Sequence, residues 1–112
     1  MDDALRTTLR GILERRAHAL RREMSEAFHH SASGEITGVE ADTQLAGVER
    51  DAAELELVER AIARSFGPLF GTCADCYAPI GRARLEAEPF AERCQACETR
   101  REQRAPASHA SL

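Results

Sequence analysis

The residues of this chain best suited to chemistry are its four cysteines. They stand as Cys73-Ala-Asp-Cys76 and Cys94-Gln-Ala-Cys97, with 17 residues between the two pairs. Two residues between the sulfurs let each hook curl and aim both thiols at one point. Two such hooks supply the four donors of a tetrahedral structural zinc site. The alternatives are a pair of disulfides, four unrelated thiols, or a thioredoxin-like redox pair. Disulfides suit oxidising compartments, and nothing in the sequence marks the chain as secreted. A redox pair needs one hook and a surrounding strand–helix pattern, which is missing here. The expectation is therefore one structural Zn2+ held by Cys73, Cys76, Cys94 and Cys97. Four thiolates leave no open position for a reacting water, so an enzyme is not expected. His18, His29, His30 and His109 have no supporting pattern. His29 and His30 are neighbours whose side chains diverge, and they are not expected to bind the ion.

The elements that must carry the hooks are helical. The chain has 112 residues, which makes one domain or a small domain with an extension. Hydrophobic residues reach 43% but aromatic ones only 4%, without Trp, so a large globular core is not expected. Charged residues at 30% and abundant Ala point to exposed helices. The formal net charge is -4, and no block of cations is present. That argues against DNA as the partner, because neutralising phosphates needs clustered positive charge. No apolar run approaches a membrane span, and Met1-Asp-Asp-Ala4 lacks a signal-peptide layout. No membrane association and a cytoplasmic location are the expectations.

Residues 4–28 read as an amphipathic helix, with Leu5, Leu9, Ile12, Leu13, Ala17, Leu20, Met24, Ala27 and Phe28 mostly three or four apart. Asp2 and Asp3 sit where the helix dipole favours acids. Six Arg and three Glu fill the other face and are expected to be solvated. Ser31, Ser33, Gly34 and Gly38 break the period, which puts a loop near 29–38. Residues 39–66 repeat the pattern, with Leu45, Val48, Ala52, Leu55, Val58, Ile62 and Phe66 close to a heptad seam. Two narrow apolar stripes joined by a short loop predict an antiparallel coiled-coil hairpin. Gly67-Pro68 stops the second helix.

The predicted fold is therefore mainly α. A helical hairpin over 1–68 is followed by a four-cysteine zinc finger with a short closing helix over 69–104, then a disordered tail over 105–112. Ile80, Leu85 and Phe90 are the finger's minimal apolar set, too small to fold it without metal. Tyr77 follows the first hook, where zinc knuckles favour a left-handed Gly. It either takes that conformation under strain or lies flat over the site. Because the second helix leads directly into Cys73, the hairpin loop should project away from the metal.

Phe70-Gly-Thr-Cys73-Ala-Asp-Cys76, Ile80, Arg84-Leu-Glu-Ala-Glu-Pro89 and Cys94-Gln-Ala-Cys97 together resemble the zinc finger of the DksA/TraR family. Residues 48–64 resemble the long helix that feeds the finger in that family. The resemblance covers roughly residues 45–104. It implies a zinc-dependent transcription regulator that binds RNA polymerase through the secondary channel rather than DNA. It also implies an acidic hairpin tip near the catalytic centre and, for some members, joint action with the stringent-response nucleotide guanosine tetraphosphate. The family's tip reads Asp-x-x-Asp-x-Ala. Here the chain reads Gly38-Val-Glu40-Ala-Asp42-Thr-Gln-Leu-Ala46, so Glu40 and Asp42 are the candidate tip acids, at a different spacing. They also suit the first turn of any helix. The alternative function is a zinc-stabilised interaction module, or a helical homodimer, with a partner other than polymerase.

Overall fold

Asp2 opens the first helix, its carboxylate accepting the Leu5 amide at 2.7 Å. This computed structural model describes residues 1–32, 34 and 38–110, and leaves the side chains of 31, 32 and 105–110 undescribed. Among the described residues it contains four helices, α1 (Asp3–Ala32), α2 (Val39–Arg64), α3 (Arg82–Ala87) and α4 (Gln95–Ala110). No strand is formed among the described residues; one antiparallel bridge joins Thr72 and Pro79. Among the described residues, no helix is long and apolar enough to cross a membrane.

α1 and α2 pair antiparallel. Arg6 and Arg10, near the start of α1, hydrogen-bond to residues just past the end of α2. The buried seam consists of Leu9, Leu13, Ala17 and Leu20 facing Val58 and Ala61. Leu5, Ile12, Leu55 and Ile62 pack partly buried beside it. The same core continues without a break into Phe70, Cys73, Ile80, Leu85, Ala91 and Cys97. Hairpin and finger are thus joined through one apolar cluster at the base of the rod. At about 1.5 Å per residue, the 26 residues of α2 carry its start roughly 40 Å from that base.

Several boundaries differ from the sequence expectation. α1 runs on through His29 and His30, which occupy its last turn. α2 ends at Arg64, so Phe66 lies beyond the helix and is 68% exposed. Leu45, expected in the seam, is 57% exposed. Beyond Leu20, α1 turns polar (Arg21, Arg22, Glu23, Ser25, Glu26), and among the described residues neither 21–30 nor 38–50 is buried. α4 continues to Ala110, whereas the pattern suggested a helix ending near 104 and an unstructured tail from 105. Residues 111 and 112 of that tail lie outside the described residues, as do 33 and 35–37 of the loop.

The arginines of α1 also depart from expectation. Ser65, completely buried at the end of α2, donates its hydroxyl to the Ile62 carbonyl. It accepts Arg10 Nε on Oγ at 2.8 Å and Arg10 Nη2 on its carbonyl at 2.7 Å. Arg6 Nη1 reaches the Ser65 and Gly67 carbonyls at 2.9 and 2.6 Å. The Arg10 guanidinium also lies 3.9 Å from the centre of the Phe66 ring. A helix leaves its last carbonyls unsatisfied, and cations are favoured there. The two arginines thus fasten the start of α1 to the end of α2. Further along, Arg16 grips Glu54 with two hydrogen bonds. That bond holds the Glu54 carboxyl below its ordinary range. Its contribution is present above the ordinary carboxylate pKa and is lost as pH falls through the lowered one.

Arg10→Ala should destabilise the protein by about 1–3 kcal/mol, because it strips charge-assisted donors from a buried hydroxyl and carbonyl. Arg15→Ala, at an exposed position on the same helix, should cost no more than about 0.5 kcal/mol. Urea titration of both variants measures the difference.

Candidate metal centre

The first hook is a tight turn built by the backbone. Cys73 N–H donates to the Ala78 carbonyl at 2.8 Å, Tyr77 N–H to the Cys73 carbonyl at 3.0 Å, and Ile80 N–H to the Gly71 carbonyl at 2.8 Å. Gly71 has φ 85°, and a Cβ there would collide with the Met1 side chain. Inside the hook, Asp75 N–H points at Cys73 Sγ, 3.4 Å away. The second hook starts α4: the Cys94 carbonyl accepts the Glu98 amide at 2.9 Å, which places Cys97 in the first turn.

Two contacts hold the hooks together, and a third fastens α3 to the second hook. Ala74 N–H donates to the Glu92 carbonyl at 2.8 Å, tying the first hook to the segment before the second. Arg93 Nε pairs with Asp75 at 2.9 Å across the same gap. Arg84, on α3, donates to the Arg93 carbonyl and the Gln95 side chain. The finger is fixed to the hairpin by Glu92, whose carboxylate accepts Arg64 at 2.8 Å and Arg60 at 3.2 Å from α2.

The four sulfurs lie within 4.8 Å of one another. All four cysteines are free thiols, with Cys76 and Cys94 Sγ 3.8 Å apart. This is a four-cysteine zinc-binding site: four soft donors converge, and the donor set is that of closed structural zinc. Cys73 and Cys97 are buried, Cys94 is half-buried and Cys76 is exposed.

Their ionisation follows from these neighbours. Burial pushes the Cys73 thiol up, but the backbone amides of Cys76, Cys94 and Asp75 outweigh it and hold it at about 6. Arg100 pulls the Cys97 thiol down, yet the Cys94, Cys73 and Cys76 thiols together with burial push it up to about 12. Without an ion, therefore, the neighbouring sulfurs oppose ionisation of Cys97. A bound divalent cation supplies the charge that lets four thiolates coexist, and its uptake displaces protons.

Tyr77 resolves the choice left by its sequence position. Its φ is 63°, so it takes the left-handed conformation, and the residue is 71% exposed. The strain falls on a residue whose side chain buries little in return. Tyr77→Gly is expected to keep the zinc and to leave stability within about 1 kcal/mol of the parent. Thermal melts of the zinc-loaded proteins test this; loss of the metal in the variant would contradict it.

Among the described residues, the cysteines form the one group of metal-donor side chains that converges. His29 and His30 lie in the last turn of α1, away from it. Glu40 and Asp42 sit in the first turn of α2, both exposed, at the opposite end of the hairpin. Gly38, at φ 63° and ψ -129°, precedes them as a cap without a side-chain hydrogen bond. Sequence reasoning missed the supports: Arg84, Glu92, the Arg93–Asp75 pair, and Arg100, whose Nη2 lies 3.0 Å from Cys97 Sγ. The signal for Arg100 was its place three residues after a ligand in a helix, on the same face.

The fold and site define a class: a helical hairpin whose base is locked by a closed four-thiolate finger. Residues 68–103 match the family described as "Prokaryotic dksA/traR C4-type zinc finger". The finger is of that type, as its sequence resemblance indicated. Among solved structures, the chain is similar to that of transcription factor DksA2 from Pseudomonas aeruginosa. The TM-score is 0.82 at 26% identity, over 95% of this chain and 89% of that one. No curated protein matches the chain.

Proposed function

We propose that this protein is a transcription regulator that binds RNA polymerase through the secondary channel and does not read DNA. The observation that carries this reading is the structural likeness to a transcription factor over 95% of the chain, hairpin as well as finger. The zinc site serves as a rigid base. The hairpin is the effector arm, with Glu40 and Asp42 presenting negative charge at its far end. The net charge of -4 supports a protein partner over nucleic acid. Guanosine tetraphosphate joins, if it acts here, at the interface with polymerase. The workplace of such a protein is the cytoplasm, and no catalytic role is assigned to it.

The test is co-purification of the tagged, zinc-loaded protein with RNA polymerase, followed by transcription from a ribosomal promoter with and without the nucleotide. Absence of binding at micromolar concentration would remove the reading. A second reading, a homodimer or an interaction module with another partner, draws on Phe28, Val39 and Leu45, exposed toward the loop end of the hairpin by 70%, 81% and 57%. Light scattering tests the dimer, which a concentration-independent monomer would leave without support; the co-purification with polymerase decides against the module.

A further inference from the structure

A four-thiolate zinc site carries a net charge of about -2, and this one lies among acids. Asp75 is inside the first hook, Glu92 precedes the second, and Glu98 follows Cys97 directly. Much of the nearby positive charge is already paired with carboxylates. Arg93 bonds Asp75, and Arg60 and Arg64 both bond Glu92. Arg100 differs, because its Nη2 donates to Cys97 Sγ at 3.0 Å.

The four sulfurs are not equally placed to bear their charge. Cys76 is exposed, so water can solvate it. Cys73 is buried, but it has the Asp75 amide inside its own hook. Cys97 is buried at 3% exposure, and Arg100 is a charged donor set one helical turn along α4. A charge removed from water needs a partner in place, and a guanidinium is always ionised.

We propose that Arg100 is the outer-sphere residue that retains the zinc, by hydrogen-bonding and charge-balancing the buried Cys97 thiolate. It is a positioning residue that acts through the sulfur and does not touch the ion. The assignment rests on the zinc site alone and stands or falls independently of any polymerase partner.

The test compares zinc-loaded wild-type protein with Arg100→Gln, Arg100→Lys and the neighbouring Arg101→Gln. Zinc transfer to a chromogenic chelator in excess gives the retention rate. The electronic spectrum of the Co2+-substituted proteins reads electron density on the sulfurs. Arg100→Gln should release zinc about tenfold faster, the usual scale for losing an outer-shell partner. Its thiolate-to-cobalt charge-transfer band should move to lower energy, because an unbonded thiolate is the better electron donor. Arg100→Lys should fall between, and Arg101→Gln should match wild type in both. Wild-type release by Arg100→Gln would overturn the assignment. So would faster release with the band unmoved, since that would place the effect in the folding of α4 rather than at Cys97. Faster release from Arg101→Gln equal to that from Arg100→Gln would also overturn it.

Discussion

Stripped of zinc by a strong chelator, the protein is expected to lose the fold of residues 69–104 while keeping part of the helical signal of α1 and α2. The magnitude decides this. Structural zinc contributes an apparent 10–16 kcal/mol or so in small fingers at neutral pH, and a whole domain has only about 5–15 kcal/mol to lose. α3 has six residues and cannot persist in water by itself. Phe70, Ile80, Leu85 and Ala91 are the finger's buried apolar residues besides Cys73 and Cys97, which are themselves ligands. Removing the ion therefore removes part of the core, not just a crosslink. The seam from Leu9 to Leu20 remains, so the circular dichroism signal should fall without vanishing. Cys73→Ser with Cys94→Ser, one ligand from each hook, should reproduce the loss. Acid should do the same, because the ligands must stay thiolates and protonation expels the metal as pH falls. A far-ultraviolet spectrum unaltered by the chelator would contradict a structural site.

Much of this site was legible because ligation is local in sequence. Two Cys-x-x-Cys hooks specify their own curvature, and one ion fixes how the two meet. The hairpin was legible for a similar reason: Leu9, Leu13, Ala17 and Leu20 reveal which face α1 buries. What periodicity does not reveal is how far the partner helix follows. Leu45 continues the heptads of α2 but stays exposed, while Ala61, outside the expected seam, is completely buried where the helices and finger converge. The arginines were hidden for another reason. An Arg on a helix reads the same whether it faces water or a carbonyl 59 residues away, as Arg6 does with Ser65. Only the antiparallel closure decides that. Tyr77 shows a local preference overruled: the turn hydrogen bonds on both sides of it impose φ 63° on a residue that disfavours it.

Replacing both Glu40 and Asp42 by Ala is expected to abolish regulation in the promoter assay while leaving polymerase binding largely intact. That follows from the proposed arm-and-base division, in which the far end acts and the rest of the molecule docks. The placement of the acids adds a sharper expectation. Both lie within α2, two residues apart, so their side chains leave the axis roughly 200° from each other. They cannot point at one target together, as acids three apart on a helix can. One of the single substitutions should therefore reproduce most of the loss, and the other should be close to neutral. Each acid also lies in the first turn of a helix whose Gly38 cap offers no side-chain bond, where its charge is worth about 0.3–1 kcal/mol. Fraying from that cause would affect both single variants alike and would appear in thermal melts. Unequal singles with equal melting temperatures would thus locate the effect at the partner. Full regulation by the double variant would mean that these carboxylates only help α2 to start, and that the arm acts through other residues at its end.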